Sequence, residues 1–222
     1  MKVAFAHNVY DRFKTLNETI NVERKFFPEA EEFIACNSYV NDISFYGQKN
    51  LQIKYFLETP EHKIGCVNGM LLSCNMALEK DFDILIFSHD DNRINPKYFD
   101  VVMNHINRIY NSEYDVVCRN PNWLGNDILM IETVYMNRKA VETLFSNIML
   151  LKNESEIGNY VYNKGNVRVN SVSPEHWFYL KIANSGLNTN IIKFGGNKRD
   201  DEEICRDIGF SHINNGIRGW KD

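Results

Sequence analysis

Hydrophobic and polar positions alternate along the chain in a pattern typical of an α/β protein. Short continuous apolar runs, as in strands buried on both faces, are separated by segments in which apolar residues recur every three or four positions. The predicted strands cover residues 2–6, 32–36, 52–57, 82–88, 115–118, 127–135 and 190–194. The predicted helices cover residues 17–27, 65–80, a segment beginning at Pro96, 139–145 and 174–185. This alternation predicts one mainly parallel sheet flanked by helices.

The segment 151–172 breaks the pattern, because it is polar and rich in asparagine and contains Gly158 and Gly165. We expect a long loop here, and long loops in compact domains are usually functional or disordered. The charge-dense segment 198–203 is expected to be a solvated loop or the start of a helix. Since no internal repeat, low-complexity tract or linker is visible, we predict a single domain over residues 1–222.

Composition excludes several classes of protein. A formal net charge of −4 without any block of basic residues argues against nucleic-acid binding. No apolar segment approaches the length needed to span a membrane, and the N-terminal apolar run is too short for a signal peptide. We therefore expect a cytoplasmic protein, free or peripheral to a membrane. The five cysteines are scattered and never form a C-x-x-C pair, which favours reduced thiols over disulfides or a zinc site.

The candidate chemistry lies where the apolar run 82–88 ends in Asp90-Asp91-Asn92. In an open α/β sheet, ligands bind just beyond the carboxyl ends of the strands. Two adjacent carboxylates at such a position suit a divalent cation that is bound together with a phosphorylated ligand. The alternative interpretation is a solvated turn in which Asp91 or Asn92 caps the next segment.

Taken in order, these features resemble the nucleotide-diphospho-sugar glycosyltransferases of the GT-A fold, especially the family 2 type. The resemblance covers a first strand with a polar turn, a Gly-containing helix at residues 63–70, the strand with Asp90-Asp91-Asn92, the Pro96 helix, and a segment at 173–177 that begins a helix ending at Gly186. It implies a Rossmann-like GT-A domain. Residues 1–110 would bind the nucleotide sugar, and residues 111–222 would supply the acceptor site and a C-terminal tail.

The resemblance also implies an activity. We expect a metal-dependent hexosyltransferase that moves a sugar from a nucleoside-diphosphate sugar, with a UDP-sugar favoured, to a hydroxyl acceptor on a glycan or polysaccharide. The expected cofactor is Mn²⁺ or Mg²⁺, and inversion at the anomeric carbon is favoured. A role in polysaccharide biosynthesis is the expected setting.

Residue roles follow from the resemblance. Asp90 is expected to bind the ribose, and Asp91 is expected to bind the metal. The general base would lie at the start of the later helix, where relatives often have Glu-Asp but this chain has Glu175-His176. That departure leaves the base open between a carboxylate and an imidazole. The alternative for Glu175 is a first-turn acid that only interacts with the helix dipole.

The C-terminal tail is expected to bring His212 to the metal and Arg218 to the diphosphate, closing as a lid over the nucleotide. Other nucleotide-sugar contacts are expected from the turn after the first strand and from the Gly-containing helix, namely His7, Asn8, Tyr10, Lys63 and Asn68.

Two other functions remain open at this point. A nucleotidyltransferase also uses strand-end carboxylates and a divalent cation, but it normally begins with a Gly-rich phosphate loop, and the turn 7–12 contains no glycine. A non-catalytic module that binds sugar nucleotides would fit the unusual Glu175-His176 pair.

Overall fold

The computed structural model describes residues 1–9, 12–36, 48–56, 62–121, 128–146, 149–164, 167–194 and 201–212, with side chains 121, 162–164, 167–170, 194, 201–203 and 212 outside the description. The strands are β1 (Val3–Val9), β2 (Glu31–Cys36), β3 (Leu51–Tyr55), β4 (Ile84–His89), β5 (Asn92–Ile94), β6 (Val116–Pro121), β7 (Met130–Asn137), β8 (Asn159–Lys164), β9 (Val167–Val172), β10 (Thr189–Phe194) and β11 (Phe210–His212). The helices are α1 (Phe13–Phe26), α2 (His62–Ala77), α3 (Phe99–Tyr110), α4 (Arg138–Phe145), α5 (Pro174–Ala183) and α6 (Asp201–Ile208). Short 3₁₀ turns at Pro96–Tyr98 and Glu154–Glu156 precede α3 and β8.

Seven strands form one sheet in the order β10-β6-β7-β4-β1-β2-β3. Strand β7 runs antiparallel to both of its neighbours, and the other strands all run in one direction. The sheet is therefore mainly parallel, as predicted. Strands β1 and β4 lie at its centre and are buried almost throughout, which explains the apolar runs with which both strands begin.

Helices cover both faces of the sheet, because successive strand residues point to opposite sides. In β1, Ala4 and Ala6 pack into a core that includes residues of α2, α4 and α5. Phe5 packs into a second core with residues of α3 and α6. Val9 joins a smaller cluster with Leu16 and Ile20 of α1. The predicted α/β architecture with helices on both faces is confirmed.

The segment 151–172 is where the prediction was wrong. It contains the Glu154–Glu156 turn and then an antiparallel hairpin in which β8 pairs with β9 from Asn159↔Val172 to Lys164↔Val167. Pairing between backbones stabilises this hairpin, so its polar strands lack the apolar run by which buried strands are recognised. The two sides still differ, since Tyr160 is buried and Val161 is exposed.

Two short strands were also missed. β5 follows the Asp90-Asp91 turn directly and pairs antiparallel with β11, in the register Phe210↔Ile94, Ser211↔Arg93 and His212↔Asn92. The charged segment before β11 begins α6 at Asp201, in agreement with the expected helix start. The chain thus returns to the end of β4. Among the residues described, no helix has both the length and the apolar character needed to cross a bilayer.

Candidate active site

Asp90 and Asp91 form the turn between β4 and β5, at the carboxyl edge of the sheet. Each is only 7% exposed. Two side chains fix the turn: Thr19 Oγ1 donates to the Asp90 carbonyl at 3.4 Å, and Asn92 Nδ2 donates to the Glu132 carbonyl at 3.0 Å. The acid pair therefore lies at the middle of the sheet, where an α/β protein binds its ligands.

Asp91 interacts with a cationic side chain that was not among the predicted site residues. Arg12 Nη1 donates to Asp91 Oδ2 at 2.9 Å, from the residue just before α1. The Arg12 side chain is 41% exposed, whereas that of Asp91 is 9% exposed. The guanidinium can therefore leave while the carboxylate stays in place. The Asp91 carboxylate already binds positive charge, as a ligand for a divalent cation must.

The negative charges of Glu175 and Asp90 both raise the pKa of the same thiol, that of Cys66. Burial, together with the negative charges of Glu175 and Asp90, raises the pKa of Cys66 to about 12. Cys66 lies on α2, so both carboxylates are near enough to this part of the helix for their charges to act on the thiol. Because the thiol stays protonated, Cys66 is not a nucleophile. The structure brings together two of the predicted site residues that are far apart in the sequence.

The start of α5 fixes the orientation of Glu175. Ser173 is the N-cap residue, and its Oγ accepts a hydrogen bond from the His176 backbone N–H at 3.3 Å. The same hydroxyl donates to Glu175 Oε2 at 2.8 Å. Pro174 occupies the first turn, where its missing N–H has no cost. The carboxylate is thus held in one position before any acceptor binds.

His176 has a different environment. Its ring lies 4.8 Å from the ring of Tyr160 on β8 and 6.0 Å from the ring of Tyr179, measured between centroids. Aromatic packing of this kind holds the imidazole against the β8–β9 hairpin. The two residues left open as the general base therefore face different surroundings.

Three predicted nucleotide contacts serve to join elements. Asn8 Nδ2 donates to the Gly65 carbonyl at 3.3 Å, and its amide lies so near Gly69 that a Cβ there would be 2.0 Å from Oδ1. Asn68 uses both ends of its amide on the backbone of Leu151, at 2.8 and 2.9 Å. The Asn8 contact joins β1 to α2, and the Asn68 contacts join α2 to the segment before β8.

Lys63 also joins α2 to the segment before β8, through Glu154. Its Nζ lies 3.5 Å from Glu154 Oε2, so the charge predicted for the nucleotide is paired with an acid in the structure. Both side chains are partly exposed. An exposed pair of this kind contributes about 1 kcal/mol or less and exchanges readily for a phosphate.

His7 does not lie with the other predicted site residues. Its side chain is 0% exposed and points toward α1, on the opposite side of β1 from Asn8. Its Nε2 lies 3.2 Å from an oxygen of both Glu23 and Glu32, and Nδ1 lies 3.1 Å from Ser88 Oγ. In this structure, His7 belongs to the interior between β1, β2 and α1 instead of a base or ribose pocket.

The structure describes only part of the C-terminal tail. Tyr10 and Arg218 lie outside the described residues, as does the side chain of His212. The backbone of His212 is described and pairs with Asn92, the residue next to Asp91. The chain therefore returns to the acid pair at the position from which the tail was expected to contribute.

A groove of about 580 Å³ lies at the opposite edge of the sheet, where β1 begins, and its lining includes Phe26, Phe27 and Glu31. Asp90, Asp91 and Glu175 are not part of it. Since ligands of parallel sheets bind at the carboxyl edge, the acid pair marks the candidate site.

Comparison with known proteins supports the fold. No protein-family model and no curated protein sequence matches the chain. A solved glycosyltransferase involved in glycosylation of the major capsid of PBCV-1 is 12% identical, with a TM-score of 0.59 over 96% of this chain and 95% of that one. The mannosyltransferase PcManGT from Pyrobaculum calidifontis, solved with GDP-Man and Mn²⁺, is 12% identical, with a TM-score of 0.54 over 89% of this chain. TarS 1–349 of S. aureus is 14% identical, with a TM-score of 0.53 over 86% of this chain.

At these identities the likeness establishes the fold. The chain spans 58% of the length of the mannosyltransferase and of TarS 1–349, and nearly all of the capsid glycosyltransferase. The protein therefore has the fold of the GT-A nucleotide-diphospho-sugar glycosyltransferases, and the predicted fold class is confirmed.

The His7 cluster gives a prediction for stability. Burial lowers the pKa of His7, but the charges of Glu23 and Glu32, together with the hydrogen bond to Glu32, outweigh this and raise it to about 10. Burial also raises the pKa of Glu23 to about 7, above its ordinary value of 4.5. The folded state therefore favours protonated Glu23, and this contribution, fully present below pH 4.5, is lost as the pH rises to about 7.

We expect metal-free protein to lose on the order of 3 kcal/mol of unfolding free energy from this source between pH 4.5 and 7. Glu23→Gln cannot ionise and should lack this loss. Denaturant titrations at both pH values with EDTA present would measure it. Glu18→Gln, on the exposed side of α1, is the matched control, and its unfolding free energy should change with pH as that of the wild type does. If the unfolding free energy of Glu23→Gln fell between pH 4.5 and 7 as much as that of the wild type, Glu23 would not be the group that loses the proton.

Proposed function

We propose that the protein transfers a sugar from a nucleoside-diphosphate sugar to a hydroxyl acceptor, with the help of a divalent cation. The observation that carries this proposal is the buried acid pair Asp90-Asp91 at the carboxyl edge of β4, with Glu175 near enough for its charge to act on the same thiol, Cys66, as that of Asp90. A solved protein of similar fold contains GDP-Man and Mn²⁺, which supports this class of donor and cofactor.

On the donor side, we assign Asp90 to the ribose hydroxyls and Asp91 to Mn²⁺ or Mg²⁺. His212 would be a further ligand, and Arg218 would contact the diphosphate. The residues present fit a hard cation, since Asp91 offers a fixed carboxylate that already holds the guanidinium of Arg12. With the cation bound, the site neutralises the charge that develops on the leaving diphosphate. A UDP-sugar remains our preferred donor.

On the acceptor side, we assign Glu175 as the general base. The hydroxyl of Ser173 donates to Oε2, which orients the carboxylate and leaves it able to accept a proton from the acceptor. The acceptor oxygen then attacks the anomeric carbon, and the bond from that carbon to the diphosphate breaks with its electron pair on the diphosphate. This displacement inverts the anomeric centre. A glycan or polysaccharide hydroxyl is the acceptor class that we favour.

His176 and the β8–β9 hairpin would shape the acceptor site. The ring of Tyr160 packs on His176, which is adjacent to the proposed base, so the hairpin borders the reacting centre. Flat aromatic surfaces suit the faces of sugar rings. We therefore assign His176 to positioning and keep Glu175 as the group that takes the proton.

The direct test is thermal unfolding in the presence of UDP- and GDP-sugars, each with and without Mn²⁺. Stabilisation that needs both the sugar nucleotide and the cation is expected. Equal stabilisation without the cation, or no stabilisation by any of these donors, would contradict the proposal. Product analysis by mass spectrometry with a panel of acceptor sugars would then identify the transfer reaction.

The Arg12–Asp91 pair yields a separate prediction. Because the guanidinium occupies the Asp91 carboxylate, an incoming cation has to displace it, and Arg12→Gln should bind Mn²⁺ several-fold more tightly in the absence of nucleotide. The gain is limited to about 1 kcal/mol, since Arg12 is partly exposed. Isothermal titration calorimetry measures it. Lys14→Gln removes the same charge from an exposed position of α1 and should leave Mn²⁺ affinity unchanged; weaker binding in Arg12→Gln would exclude displacement.

A further inference from the structure

Three ionisable side chains meet in the interior of the protein, on the side of β1 that faces α1. His7 of β1, Glu23 of α1 and Glu32 of β2 are each 0% exposed, and we call them the buried triad. His7 Nε2 lies 3.2 Å from Oε2 of Glu23 and 3.2 Å from Oε2 of Glu32. Arg24 is the nearest cation to the triad among the described residues, with its Nε 3.9 Å from Glu32 Oε1.

Hydrogen bonds within the described residues do not satisfy this cluster. A ring nitrogen carries at most one hydrogen, and the geometry directs Nε2 toward Glu32. Both carboxylate oxygens of Glu23 and Oε1 of Glu32 are buried without a hydrogen-bond partner in the part of the chain that the structure describes. A buried carboxylate in this condition is costly, so the cluster needs another positively charged or proton-donating group.

We propose that the buried triad is a divalent-metal site, distinct from the acid pair, with His7 Nε2 and one carboxylate oxygen each of Glu23 and Glu32 as ligands. The three donor atoms lie within 4.8 Å of one another. Around a tetrahedral ion with bonds of about 2.0–2.1 Å, donor atoms stand about 3.3 Å apart, close to the two separations from Nε2. Zn²⁺ accepts one nitrogen and two oxygen donors, and a small ligand such as water would fill the fourth position of the tetrahedron.

The charges agree with this assignment. A neutral imidazole and two carboxylates carry a charge of −2, so one divalent cation makes the buried triad neutral. Neutrality matters here because no side chain of the triad reaches solvent. Without a cation, the same balance requires two additional protons within the triad, one on His7 and one on a carboxylate.

Ser88 supplies the usual support for a histidine ligand. Its Oγ lies 3.1 Å from His7 Nδ1, so it can accept the Nδ1 hydrogen and leave Nε2 free to bind the ion. The ligands come from three elements that surround the first crossover of the sheet. The ion would therefore hold α1 against β1 and β2, and its role would be structural. This inference does not depend on the proposed glycosyl transfer.

The experiment separates the two metal sites by mutation. In the double variant Asp90→Asn/Asp91→Asn, the donor-linked site is removed and the buried triad is intact. Because the triad has no exposed side chain, the protein is refolded with Zn²⁺ and freed of excess ion by gel filtration. Bound zinc is counted by mass spectrometry of the element, and a parallel sample refolded with Co²⁺ reports the ligand set by its visible spectrum.

We expect one equivalent of zinc in the double variant, and little or no retained zinc when Glu23→Gln is added. Gln has the size of a protonated Glu, which favours folding of this triple variant, and Glu18→Gln added to the double variant is the control. A double variant that retains no zinc, or zinc retention unaffected by Glu23→Gln, would overturn the proposal. Should Glu23→Gln not fold, the Co²⁺ spectrum decides: a four-coordinate spectrum supports the site, and its absence overturns it.

Discussion

Asp91→Asn is expected to remove Mn²⁺-dependent binding of the sugar nucleotide and to lower the rate of transfer by about a thousandfold or more. The substitution keeps the shape of the side chain but removes the charge that would hold the cation, whose contribution to the transition state is about 4 kcal/mol or more. Calorimetric titration of the nucleotide with and without Mn²⁺ gives the binding, and steady-state kinetics give the rate.

Asp100→Asn serves as the control for Asp91→Asn. Asp100 lies in the first turn of α3 and is exposed, so its loss removes an equal charge without touching the site. We expect only a small decrease in stability, about 0.5 kcal/mol, from the weaker interaction with the helix dipole. An Asp91→Asn protein that still required Mn²⁺ for nucleotide binding would move the metal site away from β4.

Glu175→Gln is expected to lower kcat by about 10² to 10⁴, with the affinity for the donor nucleotide unchanged within twofold. The amide oxygen of Gln can still accept the hydrogen bond from Ser173, so the start of α5 should keep its structure. The loss would therefore report proton transfer. Separate measurement of kcat and of nucleotide binding distinguishes a missing base from a damaged pocket.

The matched comparison for Glu175→Gln is His176→Phe, which keeps an aromatic ring between Tyr160 and Tyr179 but cannot accept a proton. We expect this variant to retain most of its kcat and to change mainly the KM for the acceptor. The reverse pattern, with full activity in Glu175→Gln and none in His176→Phe, would make the imidazole the base. Comparable activity in both variants would exclude this pair from proton transfer.

The sequence was most informative for features that depend on the residues of a single strand or helix. Strand β4 is a continuous apolar run, so its burial and the position of Asp90 and Asp91 at its end follow directly from the residues. The cap formed by Ser173 and Pro174 likewise predicts the start of α5. The hairpin β8–β9 and the pair β5–β11 were missed because backbone pairing between distant or polar segments leaves no hydrophobic period to detect.

The contacts within the site could not be predicted from the sequence, because they join residues from different helices and strands. Arg12 reaches Asp91 across 79 positions of sequence, and no local pattern connects the two. A signal for the buried triad did exist. Glu23 falls on the buried stripe of α1 with Leu16, Thr19 and Ile20, and Glu32 lies inside a buried strand. A charged residue at an interior position marks an unusual environment, and the alternation along β1 places His7 and Asn8 on opposite faces.

Within the described residues, β8 and β9 pair only with each other and lie outside the main sheet. Evolution can therefore lengthen, shorten or replace this hairpin without disturbing the order of the seven central strands. Under the proposed function, a chimera that exchanges residues 159–172 for the corresponding piece of a protein of similar fold is expected to keep its donor preference and to change its acceptor. Under that function, the architecture allows the range of acceptors to diverge while the rest of the fold stays constant.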